Sequence, residues 1–399
     1  MNKLLVPEFL LNFSCIGSQC EDTCCQEWGI DIDKNTYYTY KKSKNMLLNE
    51  KFNSNIELNN KSTNESNYAK IILDVNKMCA FLNNDKLCSI HSELGHDALC
   101  YTCKIYPRIF NRVGDSYEES LFLSCPEVAR VALLNRDKMS FTEIDMNLTF
   151  QAFITNQAVK NEDIFWLVRE FIIDLLQNRN FHLWERLAIL GVFIEQCSGQ
   201  INEQNKNALV STINSFSMIL SINDVHSILN SYKKDSKNQF NFTVMIDSLR
   251  GRSIQNEVFK SFMKDFYEGM TEEADTGLTN SIKYNENYEC YYKEFVKNHE
   301  YILENYLVHY VFTKLFPFSN KHNLFDEYCI LAFNYILIKT YLIGISGKYK
   351  RIDENLAIKL IHSYERAYNH GDKIIEIAYD ELKQKGTVTL ENMILLLKD

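Results

Sequence analysis

The chain has 399 residues, 46% of them hydrophobic, with only 4 Pro and 13 Gly. That length holds two or three domains, and the scarcity of Pro and Gly excludes a hairpin-rich β fold in favour of a mainly helical one. A net charge of −9 excludes nonspecific nucleic-acid binding, which depends on clustered Lys and Arg.

Residues 1–13 carry Lys3 but are broken by Pro7 and Glu8, so no export signal is read and a reducing cytoplasm is expected. Trp28, Ile30 and Ile32 alternate with Gly29, Asp31 and Asp33, which predicts a short strand with one apolar face. A helix is predicted around Asn35–Lys42. Residues 49–67 are rich in Asn, Ser and charge and read as a loop. From about residue 140 the pattern turns helical. Ile164, Leu167, Val168, Phe171, Ile172, Leu175 and Leu176 fall on one helix face. Trp184 to Cys197 follows as a second helix, and Ile219 to Leu229 and Phe240 to Leu249 are weaker candidates. Residues 267–287 read as a polar connection. Three strong helical segments close the chain, Tyr288–Leu315, Phe325–Ile345 and Asp353–Leu382. Cys197, Cys290 and Cys329 lie singly on these patterns and read as small buried hydrophobes.

The expected organisation is therefore mainly α. A small, irregular, cysteine-rich metal-binding region occupies residues 1–140, and a helical domain occupies 141–399. The basic patches Lys41–Lys44 and Lys348–Arg351 read as solvated surface. The most apolar stretch, Tyr328 to Ile345, is interrupted by Asn334 and Lys339. A buried helix is the reading, with peripheral contact at the inner membrane surface as the alternative.

Nine of the 12 cysteines lie in the first 125 residues: Cys15, Cys20, Cys24, Cys25, Cys79, Cys88, Cys100, Cys103 and Cys125. In a reducing compartment such density points to metal rather than to disulfides. Zinc takes four tetrahedral ligands, commonly in close pairs such as Cys100–Cys103, and a [4Fe–4S] cluster takes four thiolates. Nine exceed one site, so two centres exist or some sulfurs are structural. Adjacent Cys24 and Cys25 point opposite ways in an extended segment. His91 and His96 lie within the cluster region and read first as hydrogen-bonded structural residues. A radical-enzyme loop needs a third cysteine where Glu27 stands. No G-x-G-x-x-G turn follows a strand, and the Cys100–Cys103 pair lacks the βαβ context of a redox motif.

Several blocks together carry a family resemblance. They are Val6-Pro7-Glu8-Phe9, Cys15, Cys20 to Cys25, Trp28, Ile30 to Asp33, Cys79 to Leu82, Leu87 to His91, Cys100, Cys103 and Tyr106-Pro107-Arg108. The C-terminal blocks are Glu304 to Leu307, Leu315 to Phe318, Phe325 to Tyr328 and Gly344 to Lys350. On these the chain resembles the flagellin lysine-N-methylase (FliB) family, whose N-terminal part is a zinc/iron-chelating cysteine cluster. The resemblance implies methyl transfer from S-adenosylmethionine to lysines of flagellin, and an iron–sulfur centre held by the cysteines. Zinc in place of that centre, and a non-enzymatic metal-binding adaptor, are the alternatives. The oligomeric state is open, an oligomer included. Tyr106, Arg108, Glu304, Asp326 and Tyr328 are the catalytic candidates, with Asn305 and Glu327 beside them. The plainer reading of each is a structural hydrogen bond or a surface charge.

Overall fold

The structure, a computed structural model, describes residues 3–62, 64–145, 155–158, 161–221, 224–250, 256–271, 279–319, 322–368 and 374–399. The chain forms two compact units that interleave in sequence. One comprises Phe13–Ile109 with Leu121–Val128; the other comprises Met1–Asn12, Phe110–Ser120 and Ala129–Asp399. All nine N-terminal cysteines fall in the first. The cysteine-rich and helical textures of the sequence meet near residue 140, whereas this grouping is discontinuous.

In the cysteine-rich unit the predicted strand is realised at Asp31–Ile32, with Ile30 and Ile32 buried. Asp33 then caps the Lys34–Lys41 helix by accepting a hydrogen bond from the Thr36 amide at 2.9 Å, the usual device for an unpaired first-turn N–H. Residues 49–67 are not the expected loop. Asn45 caps a helix over Met46–Ser54 whose Leu48 and Phe52, four residues apart, bury one face. Ile56–Leu58 then pairs with Ala69–Ile71, which in turn pairs with Asp31–Ile32 in an antiparallel three-stranded sheet. The polar composition misled because only one face of each short element is covered. Thr63 lies outside the described residues. Tyr40 stacks on Phe52 at 4.4 Å within the core, and Cys79 and Cys100 are buried in the same cluster.

The second unit holds a five-stranded sheet that hydrophobic periodicity did not reveal. Its order is Phe141–Asp145, Lys3–Pro7, Ser116–Leu121, Arg108–Val113, Asn156–Ala158. Polar side chains are buried on it with partners. Glu118 meets Arg169 at 2.5 Å, and Asn111 donates to the carbonyl of Thr313 at 3.1 Å.

Helices make up the rest. Glu162–Leu176 and Leu183–Asn202 match the first two predicted segments. Lys206–Ile219, Asp224–Ser231 and Ser236–Arg250 follow, so the weak candidate over 219–229 is the end of one helix and most of the next. The connection expected over 267–287 is helical at both ends, Glu257–Met270 and Thr279–Asn287. Its middle, residues 272–278, lies outside the described residues. The segment from Tyr288 is a π-helical turn, Tyr288–Tyr292, running into Lys293–Thr313 with a kink at His299. It stops before Leu315, whose φ of 55° no helix accepts. Asp353–Leu382 is two helices, Glu354–Tyr368 and Ile374–Gln384, with 369–373 outside the described residues.

Leu324–Tyr349 is the central helix, packed by several of the others. It is the one described helix long and apolar enough to cross a membrane, and its most apolar window is entirely buried in the fold. The two polar interruptions point inward and are satisfied. The ammonium of buried Lys339 donates to the Leu397 carbonyl and to Asp399, at 2.8 and 2.7 Å. Asn334 accepts from the Tyr364 hydroxyl at 2.8 Å. Lys348, expected in solvent, joins the helix end to Asp265 and Glu268. Cys197 and Cys329 are buried as expected, but Cys290 is exposed, because it sits on the outer side of the π-helical turn whose Tyr288 and Tyr292 face inward.

Candidate functional site

The cysteines are brought together by short local devices. The Asp22 carboxylate accepts from the Thr23 amide at 2.7 Å, and the Thr23 hydroxyl accepts from the Cys25 amide at 3.1 Å, so Cys24 and Cys25 ride on a side-chain-closed turn. The Trp28 indole N–H donates to the Cys24 carbonyl at 2.6 Å and fixes the turn from the other side. The Cys25 carbonyl accepts from the Cys79 amide at 2.8 Å, and Glu27, at φ 69°, donates its amide to Lys77. These bonds clamp the two segments against each other. Cys88 stands immediately before the Ser89–Leu94 helix, and Cys100 immediately before the Tyr101–Ile105 helix. Cys103 follows one turn later, on the same side as Cys100.

Two groups of sulfurs result. Cys24, Cys25, Cys79, Cys88, Cys100 and Cys103 act electrostatically on one another, and Cys15, Cys20 and Cys125 form a second set. Within the larger set the thiols pair. Cys25 meets Cys24 and Cys79, contacts that together with burial push its own pKa up, while the bond it gives Cys79 lowers the pKa of that thiol. Cys103 likewise donates to Cys100, raising its own pKa and lowering that of Cys100. The bonds that Cys79 and Cys100 accept thus favour their thiolates. Burial raises Cys88 against the pull of the His91 and Ile90 amides, and it pushes Cys125 up to about 12.

All 12 cysteines are free thiols. The donor chemistry suits a soft metal or an iron–sulfur cluster. The arrangement does not yet supply one: among the described residues no three His, Cys, Asp or Glu side chains are disposed to hold a metal ion. Cys25 meets Cys24 and Cys79, and Cys103 meets Cys100, but these contacts do not bring four side chains to one centre. His91 and His96 are exposed, their rings 6.0 Å apart, rather than hydrogen-bonded inside the unit.

The polar catalytic candidates are divided between the two units. Tyr106 packs on Trp28 at 5.4 Å with its hydroxyl 3.1 Å from the Ser124 hydroxyl, and half-buried Arg108 opens the strand that follows; both belong to the cysteine-rich unit. The others lie in the helical unit, each in its own structural contacts. Buried Glu304 is bracketed by Arg179 at 2.8 Å and Arg186 at 2.6 Å. The Asn305 amide donates to the carbonyls of Leu133 and Asn135. Asp326 accepts from the Tyr379 hydroxyl and from Lys383, and Glu327 from the Ser319 hydroxyl. The Tyr328 ring is buried against Gly191.

A different set of residues surrounds a pocket of about 840 Å³ within the helical unit. On its wall the His226 ring lies 4.5 Å from Phe181, nearly parallel to it, and its Nδ1 is 3.1 Å from Oε1 of Glu185. Glu185 is 1% exposed and its other oxygen accepts from the His182 amide at 2.8 Å, while the His226 side chain is 38% exposed. Tyr288 and Glu300 line the same pocket. Burial raises the Glu300 carboxyl above its ordinary range despite Arg186 at 2.8 Å. Sequence reasoning missed the His226–Glu185 pair. The two residues are 41 positions apart, on different helices, with no spacing that could announce them.

Fold and thiol geometry define a mainly helical protein carrying a compact cysteine-rich unit. Residues 169–396 match the family described as the FliB lysine N-methylase C-terminal domain, and the chain belongs to that family. A flagellar biosynthetic protein FliU from Salmonella muenchen is 37% identical over 138 residues, which is 34% of this chain and 80% of that protein. Proteins named lysine-N-methylase from Salmonella choleraesuis and Salmonella typhimurium are each 36% identical over 138 residues. The aligned stretch is 34% of each of those methylases and 34% of this chain. No solved structure matches.

Proposed function

We propose that this chain is a cytoplasmic protein-lysine N-methyltransferase that transfers methyl groups from S-adenosylmethionine to flagellin. The observation that carries the reading is the match of residues 169–396 to the FliB lysine N-methylase domain, in a chain whose other unit gathers nine thiols. The relatives' names, a lysine-N-methylase and a flagellar biosynthetic protein, support both the reaction and the substrate.

The chemistry sets two requirements. The acceptor amine must lose a proton before it attacks, since an ammonium has no lone pair and free lysine has a pKa of about 10.4. The donor is a sulfonium cation, which aromatic faces and carboxylates hold well. The cysteine-rich unit is proposed to hold an iron–sulfur centre, with zinc as the other occupant the thiols suit. Such a centre would rigidify the unit and, in the iron–sulfur case, offer redox chemistry or an open metal position. No step of the transfer is assigned to it, because among the described residues no three ligating side chains are disposed around one point. The most apolar helix is buried in the helical unit, so membrane contact through it forms no part of the proposal.

Anaerobically purified protein, S-adenosylmethionine and flagellin are incubated, and the flagellin is weighed by intact mass spectrometry. Mass gains in whole methyl steps, mapped to lysines, are expected. Flagellin of unchanged mass under every reducing condition, with metal retained, would instead favour a metal-binding adaptor. Elemental analysis of the same preparation separates iron and sulfide from zinc.

A further inference from the structure

We infer that the pocket walled by His226, Phe181 and Tyr288 in the helical unit receives the acceptor lysine side chain, with His226 as the base that takes its proton. The inference rests on the methyl-transfer reading and goes beyond it by assigning a site and a catalytic residue. The geometry is that of a carboxylate–imidazole pair. Glu185 is buried and anchored through its second oxygen to the His182 amide, so its Oε1 is fixed where it meets Nδ1 of His226. With Nδ1 held by the carboxylate, the ring has Nε2 left to accept a proton, and the imidazolium that forms lies against an anion. Phe181, stacked at 4.5 Å, fixes the ring plane. The pocket has room for an extended lysine side chain, and Phe181 and Tyr288 give its wall aromatic rings of the kind that attract an ammonium.

His226 Nε2 removes one proton from the substrate ammonium. The freed nitrogen lone pair attacks the methyl carbon of the sulfonium donor, forming the N–C bond while the C–S bond electrons return to sulfur. The products are a methylated ammonium, a neutral thioether and an imidazolium that releases its proton to water. Glu185 is a positioning residue.

The test uses the full chain and two variants, His226→Gln and Glu185→Gln, with flagellin and with flagellin in which lysine is replaced by the less basic S-aminoethylcysteine. The expected result for His226→Gln is a fall in kcat of about 10²- to 10⁴-fold, the usual range for a lost general base, with little change in KM for the donor. The less basic amine should recover part of that loss. An unchanged kcat, or equal losses for both amines, would overturn the assignment. Nuclear magnetic resonance of the His226 ring in the wild-type protein, titrated with N-acetyl-lysine methylamide, gives a readout independent of turnover and of whether a variant folds. A saturable shift of that ring is expected, and its absence counts against the site. Wild-type protein that shifts the ring but never methylates flagellin would leave the amine site standing and remove the methyltransferase reading.

Discussion

At the scale of single residues, buried charge decides most. The guanidinium of Arg186, fully buried, donates to the Phe181 and Leu176 carbonyls at 2.7 and 2.8 Å and to Glu304 and Glu300 at 2.6 and 2.8 Å. Removing one partner of such a set strands the other, at about 3–5 kcal/mol. That cost explains why Glu304 belongs to the framework of the helical unit. Lys234 shows the opposite balance, because its ammonium is desolvated without a carboxylate in contact. Its pKa is lowered to about 8 by burial first and by Lys339 second, against 10.5 in the unfolded chain. A lowered folded value means that the unfolded state holds the extra proton between about pH 8 and 10.5. Stability from this group is therefore present above 10.5 and lost as pH falls through 8. Lys234→Met is expected to be more stable than wild type at pH 7, with the gap shrinking as pH rises across that window. Urea unfolding at a series of pH values checks it, and a gap independent of pH would refute the account.

At the scale of elements, the close approach of two helices sets the packing around Leu324–Tyr349. A Cβ placed on Gly269 of the Glu257–Met270 helix would stand 1.9 Å from the Gly344 carbonyl oxygen. Backbone cannot yield as a flexible side chain can, so Gly269→Ala should cost about 1–3 kcal/mol through overpacking. Gly199 is the contrast. It lies exposed in the Leu183–Asn202 helix with nothing within 4 Å of an added Cβ. There Gly199→Ala should stabilise by about 0.5–1 kcal/mol, because alanine loses less backbone entropy. Thermal melts of the two variants should shift in opposite directions. The helices themselves were legible beforehand, since Ile164 to Leu176 repeats its apolar residues at helical spacing; that Asn161 and Asn323 cap two of them emerged only with the structure. The kink at His299 was not, because its φ of −134° leaves no mark in apolar spacing.

At the scale of the whole molecule, the cysteines divide by unit. Cys24 belongs to the paired thiols of the cysteine-rich unit, whereas Cys329 is a buried thiol in the central helix, its pKa raised by burial. Cys24→Ser is expected to lose bound metal and solubility, because metal binding and folding are coupled. Cys329→Ser should keep its metal and lose about 1–3 kcal/mol, the cost of a poorly satisfied buried hydroxyl. Metal content and melting temperature, measured on both, test the division, and equal behaviour would overturn it. The sequence by itself determined the helical class and the concentration of thiols, because both are written in neighbouring residues: a helix buries positions three and four apart, and a cysteine's chemistry travels with its side chain. Only the tertiary structure decided which thiols meet, that Lys3–Pro7 pairs with Phe141–Asp145, and that Glu185 stands behind His226. Those contacts join segments tens to more than a hundred residues apart, and the free energy that selects them comes from packing and desolvation in the assembled core, to which no local pattern is sensitive.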